Sequence, residues 1–160
     1  MKNKKHHTSE HAGSKFAPHG SISIKREESV IYYEIAGPFN LEVIRAFART
    51  VAALLSSWTP QKPFVTVSSW SVSMMTSPDA LSAYGQVLQK GRAHFPKEVM
   101  NIWYLPDELE GRRFMLPKWQ ALYEEHGYPL EIVNTLVQAH ERAAWHLQQA
   151  AGISPNSVQI

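Results

Sequence analysis

The stretch Val30-Ile31-Tyr32-Tyr33-Glu34-Ile35-Ala36-Gly37-Pro38-Phe39-Asn40 decides how the chain begins to fold, because it joins a strand signal directly to a helix signal. Residues 30–36 are rich in β-branched and aromatic side chains, which suit a pleated, half-buried surface. Beyond Asn40, the residues Ile44, Phe47, Ala48, Val51, Leu55 and Trp58 recur at steps of three and four, so they share one face of a helix over about 41–57. Gly37 frees the backbone at the strand end and Pro38 stiffens the turn. Asn40 is placed to accept a hydrogen bond from a helix amide as N-cap. A β-α-β unit starts here.

The elements on either side keep alternating. Ile22 and Ile24 alternate with Ser21, Ser23 and Lys25, and Arg26-Glu27-Glu28-Ser29 supplies a polar turn into the strand at Val30, which predicts an antiparallel hairpin. After the first helix, Pro60 and Pro63 bracket its exit, and Phe64-Val65-Thr66-Val67 reads as a short buried strand. Residues 68–76 read as a serine-rich loop. Thr76-Ser77-Pro78-Asp79 then combines a hydroxyl cap, a first-turn proline and a carboxylate at the positive end of the helix dipole. On the helix that follows, Leu81, Tyr84, Gly85 and Leu88 share a face. Residues 99–105 form the next strand, stopped by Pro106. Residues 110–126 read as a helix that Pro117 either kinks or restarts, with Gly127 as its stop. Leu130-Glu131-Ile132-Val133 reads as a last short strand. Asn134 is expected to cap a final helix whose apolar face holds Leu136, Val137, His140, Ala143, Ala144 and Leu147.

The order β-β-α-β-α-β-α-β-α, with right-handed crossovers, predicts a single-domain α/β fold. Its sheet is mixed and mostly parallel, with an N-terminal antiparallel hairpin strand and about four helices. Residues 1–19 carry few apolar side chains and half of the histidines (His6, His7, His11 and His19), so they are expected to be a disordered basic leader. The domain is expected to span 20–150, with a C-terminal tail at 151–160.

Composition narrows the function classes. With 160 residues and 44% of them hydrophobic, one core is affordable and two are not. The absence of cysteine excludes disulfides, thiolate metal sites and cysteine nucleophiles. No apolar run approaches the roughly 20 residues of a membrane-spanning helix, and no secretory signal is evident, so a cytoplasmic location is expected. The net basicity resides in Lys2, Lys4, Lys5 and Lys15, while the rest of the chain is slightly acidic, so no footprint for nucleic acid appears. His94, His126, His140 and His146 are dispersed and no GxSxG elbow exists, so no enzyme activity, metal or cofactor is expected. His140 is expected to be a hydrogen-bonded core histidine.

The element order, together with GPFN at 37–40, TSPDA at 76–80 and the Ala144-Trp145 pair, resembles the STAS-like proteins related to anti-sigma-factor antagonists. The likeness is greatest to small bacterial SpoIIAA-like or STAS/SEC14-like proteins, and it covers about residues 20–148. It implies a non-catalytic module that binds a regulatory protein. The alternative it implies is a domain that takes a small molecule or lipid in an apolar pocket at the carboxyl end of the sheet. The regulatory branch of that family carries a phosphorylatable serine after the third strand, preceded by an aspartate. Here Ser69 and Ser71 stand in that region without the aspartate, and Trp70 and Val72 make it more apolar.

Residues 68–75 follow a strand at the sheet end where α/β folds bind ligands. Phe39, Asn40, Ser68, Ser69, Trp70, Ser71, Met74 and Met75 are therefore the candidate partner or ligand residues, with Trp70, Met74 and Met75 either an apolar surface or, folded back over the sheet, core. Under the second reading, the pocket lies between this loop, Phe39 and the Trp103-Tyr104 strand end. A homo-oligomer is compatible with either.

Overall fold

The structure, a computed structural model, describes residues 5–11 and 19–152. Its strands are β1 (His6–His7), β2 (Ser21–Glu27), β3 (Val30–Ala36), β4 (Phe64–Ser71), β5 (Glu98–Tyr104) and β6 (Leu130–Val133). Its helices are α1 (Leu41–Ser57), α2 (Pro78–His94), α3 (Arg112–Glu125) and α4 (Leu136–Ala150), and a short 3₁₀ turn covers Thr8–His11. The described strands form one six-stranded sheet in the order β1-β2-β3-β4-β5-β6. The β1–β2 and β2–β3 pairs are antiparallel and the rest are parallel.

This sequential order has a consequence for the layers. Each crossover from β3 to β6 steps to the next strand in the same direction, so crossovers of one hand place α1, α2 and α3 on one face. Only α4, which follows the last strand, covers the other face. The core divides accordingly. The larger part holds Ile22, Ile31, Phe47, Trp70, Trp103 and Trp119 with their neighbours, and the smaller holds Val65, Val67, Ile102, Val133, Ala139 and Ala143.

Local chemistry sets the helix starts. Asn40 caps α1, its side chain accepting from the Val43 amide at 3.2 Å and from the His19 amide at 2.9 Å. Ser77 caps α2, with Pro78 in the first turn. Pro117 lies inside α3, which runs unbroken from Arg112 to Glu125 and begins at Gly111 in the left-handed region (φ 72). At α4 the cap is Thr135, which accepts from the Gln138 amide at 3.1 Å. The expected cap Asn134 instead donates its own amide to the Gln138 side chain at 3.0 Å.

Three expectations are corrected. First, β4 continues through Ser71, so residues 68–71 are strand and not loop. Their backbones pair with Tyr33 to Ala36 on one side, and Ser68 and Ser69 pair with Trp103 and Tyr104 on the other. Central pairing of this kind holds serines in a strand that their own propensity disfavours. Second, α4 is rotated from the expected face. Its buried residues are Ala139 and Ala143, while Leu136, Val137, His140 and Ala144 are exposed. Small alanines let the helix lie close on the sheet, and His140 contacts the Tyr32 ring at 5.7 Å instead of entering the core.

Third, residues 5–11 of the expected leader are ordered. His6 and His7 pair with Ile24 and Ser23, Thr8 is buried, and its hydroxyl oxygen accepts from the Ile22 amide at 3.2 Å. Lys5 pairs with Glu34 at 2.5 Å. Composition missed this because backbone hydrogen bonds to an exposed strand edge require no apolar side chains. Residues 1–4 and 12–18 of that leader, and 153–160 of the tail, lie outside the described residues. Deleting residues 1–11 is expected to lower stability by about 1–2 kcal/mol, the net worth of one or two hydrogen bonds. Urea unfolding measures this, and an unchanged midpoint would show the strand to be idle.

Candidate functional site

At the carboxyl end of β4, the candidate residues separate into buried and presented groups. Phe39, Trp70 and Met74 are core, at 4%, 3% and 0% exposure. The Trp70 ring lies edge-on to Phe39 at 5.8 Å and packs against Trp103 at 4.8 Å and Trp119 at 5.4 Å. The structure therefore brings Phe39 and Trp70 together, but as interior and not as an apolar surface. Ser68 is buried, Ser69 is half-buried within the sheet, and Asn40 is engaged as the α1 cap. The exposed members are Ser71, whose hydroxyl donates to the Ile35 carbonyl at 3.2 Å, and Met75.

Between them stands Val72, 67% exposed and in the left-handed region at φ 64. The Ser73 amide donates to the Ser71 carbonyl at 2.8 Å, which closes a three-residue γ-turn around Val72. A β-branched residue in this conformation is a genuine outlier, because its Cβ crowds the following carbonyl. The turn is held from both sides. The Met74 amide donates to the Glu110 carbonyl at 2.8 Å, and the Phe39 amide donates to the Met75 carbonyl at 2.8 Å. Ser73 is fully buried and its hydroxyl accepts from the Met75 amide at 3.0 Å. Gly37 permits this closeness, since a Cβ there would stand 1.9 Å from the Ser73 carbonyl oxygen. The sequence reading counted Val72 only as making the loop apolar. A lone β-branched residue between serines at a strand end was the available signal.

A second group of residues surrounds a cavity of about 70 Å³ between the sheet and α1–α3. It extends from Phe39 and Trp70 to Glu98, the first residue of β5, so it reaches far past the pocket expected at the strand ends. Its polar lining includes Thr66, Asn101, Tyr33, Tyr84 and Tyr123. The Thr66 hydroxyl donates to Asn101 Oδ1 at 2.6 Å, and the Tyr84 and Tyr123 hydroxyls bond each other at 2.8 Å. Burial pushes the Glu98 carboxyl up to about 7, against the opposing pull of the neighbouring Thr66 and Asn101 side chains and of the Arg92 charge. Burial likewise raises Tyr84 to about 12 and lifts Tyr33 and Tyr123 well above the usual phenol range. The indole N–H groups of Trp70 and Trp119, which also line the cavity, have no hydrogen-bond partner among the described residues. Nothing in the sequence reading singled out Glu98, although an acid opening a buried apolar strand was visible there.

The element order and strand directions are those of the mixed, mostly parallel α/β arrangement that the sequence predicts. No protein-family model matches the chain and no curated protein matches it. Among solved structures, an anti-sigma factor antagonist from Mycobacterium paratuberculosis aligns with 15% identity and a TM-score of 0.48, covering 77% of this chain and 92% of that one. ATP citrate lyase from Methanothrix soehngenii, in complex with citrate and coenzyme A, aligns with 13% identity and a TM-score of 0.45, covering 64% of this chain and 27% of that one. A mutant ATP citrate lyase from Methanosaeta concilii, in complex with (3S)-citryl-CoA, gives the same identity and TM-score and 25% coverage of its own chain. Among the described residues, no helix is long and apolar enough to cross a membrane.

Proposed function

We propose that this chain is a non-catalytic, STAS-like regulatory module that binds another protein through the rigid tip Ser71-Val72-Ser73 and the neighbouring Met75. The observation that carries the reading is Val72. A large apolar side chain is exposed there in a backbone conformation that costs about 1–2 kcal/mol for an L-residue. Stability alone would favour glycine at such a turn, and strain of this sort collects at recognition sites. The hydrogen bonds that clamp the tip reduce the ordering entropy a partner must overcome. Of the two candidate phosphoacceptors, Ser71 has the exposed side of the strand end and Ser69 lies within the sheet. A phosphate on Ser71 would place about two negative charges beside Val72 and oppose an apolar contact.

Replacing Val72 with glycine separates the two demands. The variant is expected to unfold at a urea concentration equal to or above that of the parent, gaining up to about 1 kcal/mol as the left-handed strain is relieved. It is also expected to lose the protein that co-purifies with the parent from its host, as is Met75→Asp. A Val72→Gly protein that is destabilised, or that keeps the same co-purifying partner, would remove this tip from the binding surface.

A further inference from the structure

The cavity beneath α1–α3 carries an assignment that is independent of the Val72 tip. Its volume of about 70 Å³ is several times the roughly 10–15 Å³ that one buried water requires, so it has room for a small organic molecule. Its walls are aromatic: Phe47 and Tyr84 stack at 5.8 Å, Tyr33 meets Phe47 edge-on at 5.9 Å, and Tyr123 meets Tyr128 at 5.7 Å. At one end stands the carboxyl of Glu98, which forms no ion pair among the described residues.

We propose that this cavity binds a small organic ammonium ion, with Glu98 as the counter-ion and the rings of Tyr33, Tyr84, Tyr123 and Tyr128 as its walls. Aromatic faces carry negative quadrupole charge, and a cage of them beside one carboxylate is the chemistry that holds alkylammonium groups. An anion is opposed by Glu98. A purely apolar ligand would leave that carboxyl without a counter-ion, so it gives Glu98 no role. A hard metal ion would want several oxygen ligands with carboxylate charge, and Glu98 is the one carboxyl in this lining. On the far side of this wall, a surface groove between α1 and α2 shares Ile44, Val51, Val87 and Gly91 with the cavity lining.

The groups that face Glu98 are few. Thr66 on β4, Asn101 on β5 and Arg92 at the end of α2 favour its ionised form, and Tyr33, Tyr84, Tyr123 and Tyr128 are the phenols that feel its charge. Arg92 itself is exposed and lies over the outer ring, Tyr128, at 5.2 Å. With the carboxyl near 7 in the empty cavity, a cation must bind the ionised form, so its affinity rises with pH through that value.

The test uses the full chain with methylammonium, whose charge does not change between pH 6 and pH 8 and which is small enough for this cavity, and methanol as its neutral counterpart of similar size. Calorimetry at millimolar ligand is expected to show methylammonium binding, with an affinity about tenfold higher at pH 8 than at pH 6. Methanol should bind more weakly and with no pH dependence. Glu98→Gln should lower methylammonium affinity at least tenfold at pH 8. It should also melt no earlier than the parent there, since it removes a carboxyl that ionisation destabilises. The pH profile of the parent tests the proposal even if that variant fails to fold. Equal binding of the two probes, a flat pH profile, or no binding of either would overturn it and leave the cavity to water.

Discussion

Trp70→Ala is expected to destabilise the protein by about 3–5 kcal/mol, the range for removing a large aromatic from a core, and so to lose a large part of its stability. The indole is 3% exposed and touches Phe39, Trp103 and Trp119, residues of three further segments of the chain. Truncation therefore opens a void where the loop before α1, the strand β5 and the helix α3 converge, and close-packed surroundings fill such a void only in part. Met75→Ala, on a side chain that is 39% exposed five residues away, is expected to change stability by less than about 1 kcal/mol. Guanidinium unfolding of the two single variants decides whether the segment is interior at Trp70 and surface at Met75. A Trp70→Ala cost below about 1 kcal/mol would place this ring on the surface after all.

The contrast between these neighbours also shows where the sequence was legible. Helix starts were readable because capping is local: Asn40 and the Ser77-Pro78 pair needed only their own side chains and the next turn of backbone. The alternation of elements was readable because periodicity is local too. The end of β4 was not. Ser68, Ser69 and Ser71 have loop composition, and only pairing with β3 on one side and β5 on the other makes them strand. Residues 5–11 failed for the same reason, since an edge strand donates and accepts through its backbone, which composition does not report. The rotation of α4 was hidden because alanine is ambivalent between core and surface, and only contact with β4 and β5 selects Ala139 and Ala143.

The candidate sites follow this division. Apolar residues near the end of β4 were legible as a cluster at the carboxyl end of the sheet, but the pattern could not tell which of them the sheet would swallow. Trp70 and Met74 went inward because a strand alternates and the Gly37 segment closes over Ser73. Val72 was left outside by the turn this forces. Glu98 escaped notice for a different reason. A single acid at a strand start is ordinarily solvated, and it becomes chemically distinctive only when α2, α3 and three neighbouring strands enclose it.

Phe47→Ala tests that enclosure. Phe47 is 5% exposed on α1, stacks on Tyr84 of α2 at 5.8 Å and meets Tyr33 of β3 at 5.9 Å, so one ring joins two helices to the sheet. The expected cost is about 3–5 kcal/mol, read from denaturant unfolding. A cost below about 1 kcal/mol would mean that α1 turns a different face inward. Because Phe47 is also part of the cavity wall, its removal should enlarge the space beside Tyr33 and Tyr84 without touching Glu98. A variant that remains folded at low temperature is therefore expected to admit larger alkylammonium ions than the parent, tetramethylammonium among them. Val72 lies at the carboxyl end of the sheet and is absent from the cavity lining, so protein binding at the tip should survive in the same variant. Loss of both properties together in a folded Phe47→Ala protein would show that the tip and the cavity are one coupled site and not two.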